Sequence, residues 1–322
     1  VQISEPPRIS VIVPAYNSAN TIEACLNAIK NSTVSNYELI VVDDGSQDLT
    51  RIKASPLACK VIFHPSNLGR SAARASGIKI AAGSLIVCVD SDILIDRFDL
   101  FKIEEKFSED PNCSVISGLL SDSHPSQNFT SQYCNLRLNY LYRNLPEKIA
   151  FFYGGIFAFR KELKDSFSSK FEVCEDTDIG VRLAIKHYQI SLLKNVIVSH
   201  LKEINFINFV RSDFTMAFNW ANLFIENQVW KFLICQSSLL LQLIRYLFPI
   251  GFIFFLIQRK EPIFVLKACA LACVQSIAIL VGGVTGLTFY LLTTIMKPLI
   301  SESKTISLSE QEALNLKRNK LD

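Results

Sequence analysis

Ile9–Val13, Leu39–Val42, Val61–Phe63 and Leu85–Val89 are short apolar runs, rich in β-branched residues and almost free of polar interruption. Runs of that length and composition read as strands, Leu85–Val89 as a buried one. Between the first two the period changes: Ile22, Cys25, Leu26 and Ile29 recur every three to four positions, which predicts a helix capped by Ser18 or Asn20. A second helix is expected over Ala72–Ala81, with Gly83 as its stop. Strand–helix–strand alternation at this spacing predicts an α/β fold, a mostly parallel sheet flanked by helices. Ligands of such sheets bind beyond the carboxyl ends of the strands.

That rule gathers the acids. Asp43, Asp44, Asp90 and Asp92 all fall at or just past the carboxyl ends of expected strands. Four carboxylates sharing one edge repel one another unless a cation or a donor-rich ligand joins them. Oxygen ligands with no His or Cys beside them favour Mg2+ or Mn2+ over Zn2+, and Mg2+ typically shares its sphere with phosphate oxygens. Neither the dinucleotide fingerprint GxGxxG nor the phosphate loop GxxxxGK[ST] is present. Taken singly, Asp-x-Asp and "DDGS" are common turn sequences; their order along the chain carries more.

The pattern changes near Val229. Phe232–Ile257 is almost wholly apolar, broken by Arg245 and Pro249, and Ala268–Met296 is 29 residues without a charge. A span needs about 20 such residues. The second segment therefore reads as a membrane helix, and the first as either a tilted span or an interfacial element, because a central charge is costly in lipid. This divides the chain into 1–228, a hydrophobic region 229–297 of one or two spans, and a polar tail 298–322. No apolar leader-type stretch opens the chain, so residues 1–228 are expected to be soluble and not exported.

Composition narrows the field further. A net charge of +3, dispersed along the chain, gives no footprint for nucleic acid. Nine cysteines without a CxxC pair, several inside apolar runs, read as reduced thiols.

The ordered segments "VIVPAYNSANTIEACLNAI" (11–29), "YELIVVDDGSQDLT" (37–50), "NLGRSAARASGIKIAAGSLIVCVDSD" (67–92), "GGIFAFRKEL" (154–163) and "EDTDIGVRL" (175–183) resemble the family 2 glycosyltransferases of GT-A fold. The resemblance covers roughly the first 200 residues. It implies transfer of a sugar from a nucleotide-diphosphate sugar donor, usually with inversion. By the same resemblance Asp44 contacts the nucleobase within a wall of Pro14, Ala15 and Tyr16, and Asp90 approaches the ribose. Asp92 holds the divalent metal, Mg2+ or Mn2+, on the diphosphate, and Asp176 is the general base. His200 matches a further metal or phosphate contact of some relatives.

Arg70, expected just ahead of a helix, would add a positive group beside the phosphates. Gly154 and Gly155 would let backbone approach the donor sugar or the acceptor. Glu175 and Asp178 would raise the pKa of Asp176 by like-charge repulsion, with Asp178 also capping the helix. The Gln-x-x-Arg-Trp motif of processive polysaccharide synthases has no match in "FVRSDFTMAFNW" (209–220), so single-sugar transfer is expected. The apolar C-terminal region implies a lipid-linked or membrane-embedded acceptor, with the catalytic domain at the cytoplasmic face of the cell membrane. A non-catalytic nucleotide-sugar-binding or assembly protein is the competing reading; a nucleotidyltransferase would want a Gly- and Arg-rich first loop that "VIVPAYNSAN" lacks.

Overall fold

The computed structural model describes residues 7–167, 174–226 and 250–318. Its first half is built as the apolar pattern predicts: β1 (Ile9–Ala15), α1 (Ile22–Lys30), β2 (Tyr37–Asp43), α2 (Thr50–Ala54), β3 (Lys60–Phe63), α3 (Arg70–Ile80) and β4 (Leu85–Val89). β5 (Ile93–Leu94), α4 (Asp99–Glu109), β6 (Cys113–Leu120), α5 (Phe129–Arg143), β7 (Lys148–Ile149), β8 (Ile156–Arg160), α6 (Glu175–Ile185) and β9 (Gln189–His200) follow. The sheet order is β3-β2-β1-β4-β8-β6-β9-β5, with β7 alongside β9.

β1 to β4 are mutually parallel where they pair, and β6 runs parallel to β9. β8 lies antiparallel between β4 and β6, so the sheet is mixed rather than uniformly parallel. From β1 the chain winds outward through β2 to β3, then returns to place β4 on β1's other side. The order therefore reverses between β1 and β4, and a crevice opens beyond their carboxyl ends. "PAYN" closes β1 and "DSD" closes β4, so both motifs line it.

Alternate residues of each buried strand feed two apolar layers. Val11 and Val13 pack with Cys25, Leu26 and Ile29 of α1 and with Leu100 and Ile103 of α4. Ile12, Ile40 and Val42 pack with Ala73 and Ile78 of α3 and with Ile179 and Leu183 of α6. Helix α1 begins after Thr21, and neither Ser18 nor Asn20 caps it by a side chain; the Ser18 carbonyl accepts the Thr21 and Ile22 N–H groups instead.

A third layer brings in the C-terminal region. It consists of α7 (Phe206–Glu226), α8 (Ile250–Ile257) and α9 (Pro262–Arg318). Tyr133 and Leu136 of α5 pack with Phe209, Phe252, Leu256, Ala268, Leu271 and Ala272. Tyr133 donates to Gln275 Oε1 at 2.9 Å, and Gln275 in turn donates to buried Asp213. Of the expected apolar segment Phe232–Ile257, residues 232–249 lie outside the described residues. Among the described residues one stretch is long and apolar enough to cross a membrane, Pro262–Tyr290. Its outward side carries Ile263, Leu266, Ile277, Leu280, Val284 and Phe289, all exposed. The helix continues without a break through residue 297.

Helix α3 lies close on the sheet because of Gly77: a Cβ there would stand 2.5 Å from Ile12 Cγ2. Gly77→Val should push α3 off β1 and cost about 1–3 kcal/mol of stability, as overpacking does. Urea unfolding of the detergent-solubilised chain measures it; unchanged stability would mean that α3 has room to adjust.

Candidate functional site

The residues at the mouth of the crevice are held by backbone bonds between loops that are distant in sequence. Asp44 N–H donates to the Ala15 carbonyl at 2.8 Å, and the Ser18 and Ser91 hydroxyls meet at 2.8 Å. Pro14 and Ala15 are buried in the wall, whereas Tyr16 is 45% exposed and faces outward. Asp44 is buried. One of its oxygens contacts His64 Nδ1 at 2.6 Å and accepts the Leu68 N–H at 3.0 Å; the other accepts the Gly69 N–H at 2.9 Å. A carboxylate has about four acceptor positions, so one remains for a ligand. His64 also reaches the Ser76 hydroxyl at 2.9 Å, which ties the loop ahead of α3 to the helix body.

Beneath that loop sits the centre of the site, which the sequence reading missed. Arg74 is buried, and its guanidinium reaches Asp90 at 2.6 Å, Glu175 at 2.7 Å and the Gly154 carbonyl at 2.6 Å. Its Nε–H is buried without a partner among the described residues. Arg70, one turn earlier and half exposed, touches the same two acids: Asp90 at 3.3 Å and Glu175 at 2.9 Å. Arg70 is the first residue of α3 rather than a loop residue ahead of it. Asp90 and Glu175 are thus neutralised by two arginines. The signal for Arg74 was its position: on α3 it shares the buried stripe of Ala73, Gly77 and Ile78, where a lone arginine needs an acidic partner.

Two acids remain outside this ring of charges. Asp92 meets His200 Nε2 at 3.4 Å, brought together because β5 pairs antiparallel with β9 and aligns Ile93 with His200. Each is about one-fifth exposed, at 20% and 21% of the side chain. Burial opposes the charge on Asp92, but the contact with His200, with Lys202 and Arg70 further off, outweighs it and holds the carboxyl below its ordinary range. A carboxylate and an imidazole at one opening fit a divalent ion, and the nitrogen suits Mn2+ better than Mg2+. Among the described residues no third His, Cys, Asp or Glu completes the set, so the other ligands would come from phosphate and water.

Asp176 opens α6 beside Glu175. It accepts the Thr177 N–H at 2.7 Å and the Gly154 N–H at 3.1 Å. A Cβ on Gly154 would come within 2.8 Å of its Oδ2, so the first glycine of the pair is there for the approach of Asp176. Gly155 accommodates the Tyr153 ring in the same way, and its carbonyl accepts the Asp90 N–H at 3.0 Å. Burial, and secondarily Glu175, push the Asp176 carboxyl up to about 6. Asp178, expected to act beside Glu175, pairs with Arg182 one turn later at 3.1 Å.

Residues 10–167 match the family model described as Glycosyl transferase family 2. They form a family 2 glycosyltransferase domain. An uncharacterized glycosyltransferase of Rickettsia conorii is 38% identical over 115 residues, 34% of this chain and 19% of that protein. An Escherichia coli protein, UDP-Glc:alpha-D-GlcNAc-diphosphoundecaprenol beta-1,3-glucosyltransferase WfgD, is 37% identical over 87 residues, 26% of this chain and 34% of its own length. These matches thus span about a third or less of the curated relatives. In fold, the chain is similar to a mannosyltransferase of Pyrobaculum calidifontis solved with GDP-Man and Mn2+, at a TM-score of 0.62 and 19% identity over 88% of each chain. That likeness establishes the GT-A architecture.

The two arginines of the site, Arg70 and Arg74, should differ sharply in importance. Arg74→Met leaves buried Glu175 short of a partner and should cost about 3–5 kcal/mol. Arg70→Ala removes a half-exposed pair and should cost about 1 kcal/mol or less. Equal losses in denaturant titrations would refute the central place given to Arg74.

Proposed function

We propose that this glycosyltransferase domain moves a sugar from a nucleotide-diphosphate sugar to a hydroxyl or phosphate of a lipid-linked acceptor, with inversion at the anomeric carbon. The observation that carries the reading is the sorting of four acids: Asp90 and Glu175 are bound by arginine, while Asp92 and Asp176 are not and have opposite protonation tendencies. The nucleoside lies along Pro14, Ala15 and Tyr16, with the free acceptor position of Asp44 turned to the base and Asp90 to the ribose. Arg70, half exposed, is placed to turn toward the phosphates. Asp92 and His200 would hold the divalent ion, Mn2+ or Mg2+, which supplies Lewis-acid stabilisation of the leaving diphosphate.

Asp176 takes the proton of an acceptor hydroxyl as its oxygen bonds to the anomeric carbon. The bond from that carbon to the diphosphate oxygen breaks, and its electron pair leaves with the nucleotide. A carboxyl titrating near 6 is a stronger base than an ordinary aspartate and is still mostly ionised at neutral pH.

The apolar outward face of Pro262–Tyr290 supports docking of the domain on a bilayer, where tethering raises the local concentration of a lipid-borne acceptor. Arg259, Lys260 and Lys267 lie at the end of the apolar stretch that packs against α5. With a single span, the positive-inside tendency then puts that end of the helix, and with it the catalytic domain, on the cytoplasmic side of the cell membrane.

Turnover should fall about tenfold per pH unit below pH 6, since the raised Asp176 must be ionised to act; Asp176→Asn should abolish turnover and keep nucleotide affinity within a few-fold. A rate independent of pH between 5 and 7 would remove Asp176 as the base. Excess EDTA should stop transfer, and Asp92→Ala should reproduce that loss in a protein that still folds. Full activity in EDTA would exclude the ion.

A further inference from the structure

Tyr153 has no role in the account so far, yet it stands among the site's charges. It precedes the Gly154-Gly155 pair, and its backbone N–H is fixed by the Ser117 hydroxyl at 2.9 Å. Its ring meets Tyr142 edge-on with centroids 5.9 Å apart and folds back over Gly155. The fold-back is tight: a Cβ on Gly155 would lie 2.6 Å from Tyr153 Cε1 and 2.7 Å from the hydroxyl oxygen. The hydroxyl is therefore lodged where Gly155 holds the Asp90 N–H and Gly154 holds the Asp176 carboxylate.

That hydroxyl meets no hydrogen-bond partner among the described residues. It is also not sealed from the opening, as the buried atoms lacking partners do not include it. A largely buried phenol left unpaired costs about 1–3 kcal/mol. Such a group is usually satisfied by a ligand or by water. Burial first, then Asp90 and Asp92, push the phenol's pKa up, so it keeps its proton and can donate.

We propose that the Tyr153 hydroxyl binds a hydroxyl group of the transferred sugar and holds the ring between the diphosphate end of the site at Asp92 and the base at Asp176. The sugar is the one part of the reactants that must touch both ends, because its anomeric carbon exchanges the diphosphate oxygen for the acceptor oxygen. A phenol in this place offers a hydrogen bond to a ring hydroxyl and an apolar face to the sugar's C–H groups. A hydroxyl on a fixed ring discriminates between sugars by which of their hydroxyls it meets. The phosphates and nucleoside are served by other groups, so Tyr153 acts on the sugar alone. This rests on the proposed function.

Calorimetric titration of the full chain with Mn2+ separates the two readings. UDP, GDP, UDP-glucose, UDP-GlcNAc and GDP-mannose are the probes, measured with wild type and with Tyr153→Phe. The wild type should bind one sugar nucleotide more tightly than its parent nucleotide. Tyr153→Phe keeps the ring and should bind the parent nucleotide as wild type does, while the increment due to the sugar falls about tenfold. An unchanged increment overturns the role of Tyr153 and leaves the transferase reading standing. A wild type with no increment from any sugar overturns it as well, and one that binds no nucleotide overturns the proposed function and this inference together. Equal loss of nucleotide and sugar-nucleotide binding in Tyr153→Phe makes the residue structural and contradicts the proposal.

Discussion

A buried guanidinium shared by two carboxylates is the constraint on which the rest of the site depends. Arg74 is fully inside the fold, and burying its charge is tolerable only because Asp90 and Glu175 are at hydrogen-bond distance. The three residues come from α3, the end of β4 and the start of α6, so one ion cluster fixes three elements relative to one another. It also decides what neighbouring acids can do. With Asp90 and Glu175 neutralised, Asp92 is left to His200 and Asp176 to two backbone N–H groups. Carboxylates crowded on one sheet edge thereby acquire different proton affinities without any change of residue type.

Close approach of backbone makes this cluster possible. Gly77 lets α3 settle on β1 and so brings Arg74 inward; Gly154 lets Asp176 reach the strand-end peptide that also carries the Arg74 contact. The reversal of strand order between β1 and β4 supplies the crevice, and loop-to-loop bonds such as Ser18 to Ser91 keep its two lips in register. The C-terminal helices are fastened to the same body through Tyr133, Gln275 and Asp213.

Much of this was legible in the sequence, for definable reasons. Strands β1, β2 and β4 are continuous apolar runs, and the acids ending them must lie at one edge in any parallel arrangement. The pairing of Asp92 with His200 could be stated only through the family resemblance, because it depends on β5 and β9 meeting across more than a hundred residues. For Arg74 the one local signal is its place in the apolar stripe of α3, and nothing local marks His64; tertiary burial converts both from surface residues to organisers. The Asp178 pair with Arg182, one turn on, is a local i,i+4 contact that the first-turn reading did not weigh. Hydropathy found the apolar C-terminal helix and could not reveal that Ala268, Leu271 and Ala272 face α5 rather than lipid.

With Asp176 proposed as the base, and Asp90 and Glu175 held by arginine, the proposed reaction is a single displacement. The most direct test is the anomeric configuration of the first product, read by proton NMR as transfer proceeds from a donor found in the nucleotide-sugar panel. Inversion relative to the donor is the predicted result. Retention would demand a nucleophile on the protein or a different path, and would contradict the roles given to Asp176 and to the arginine-bound pair.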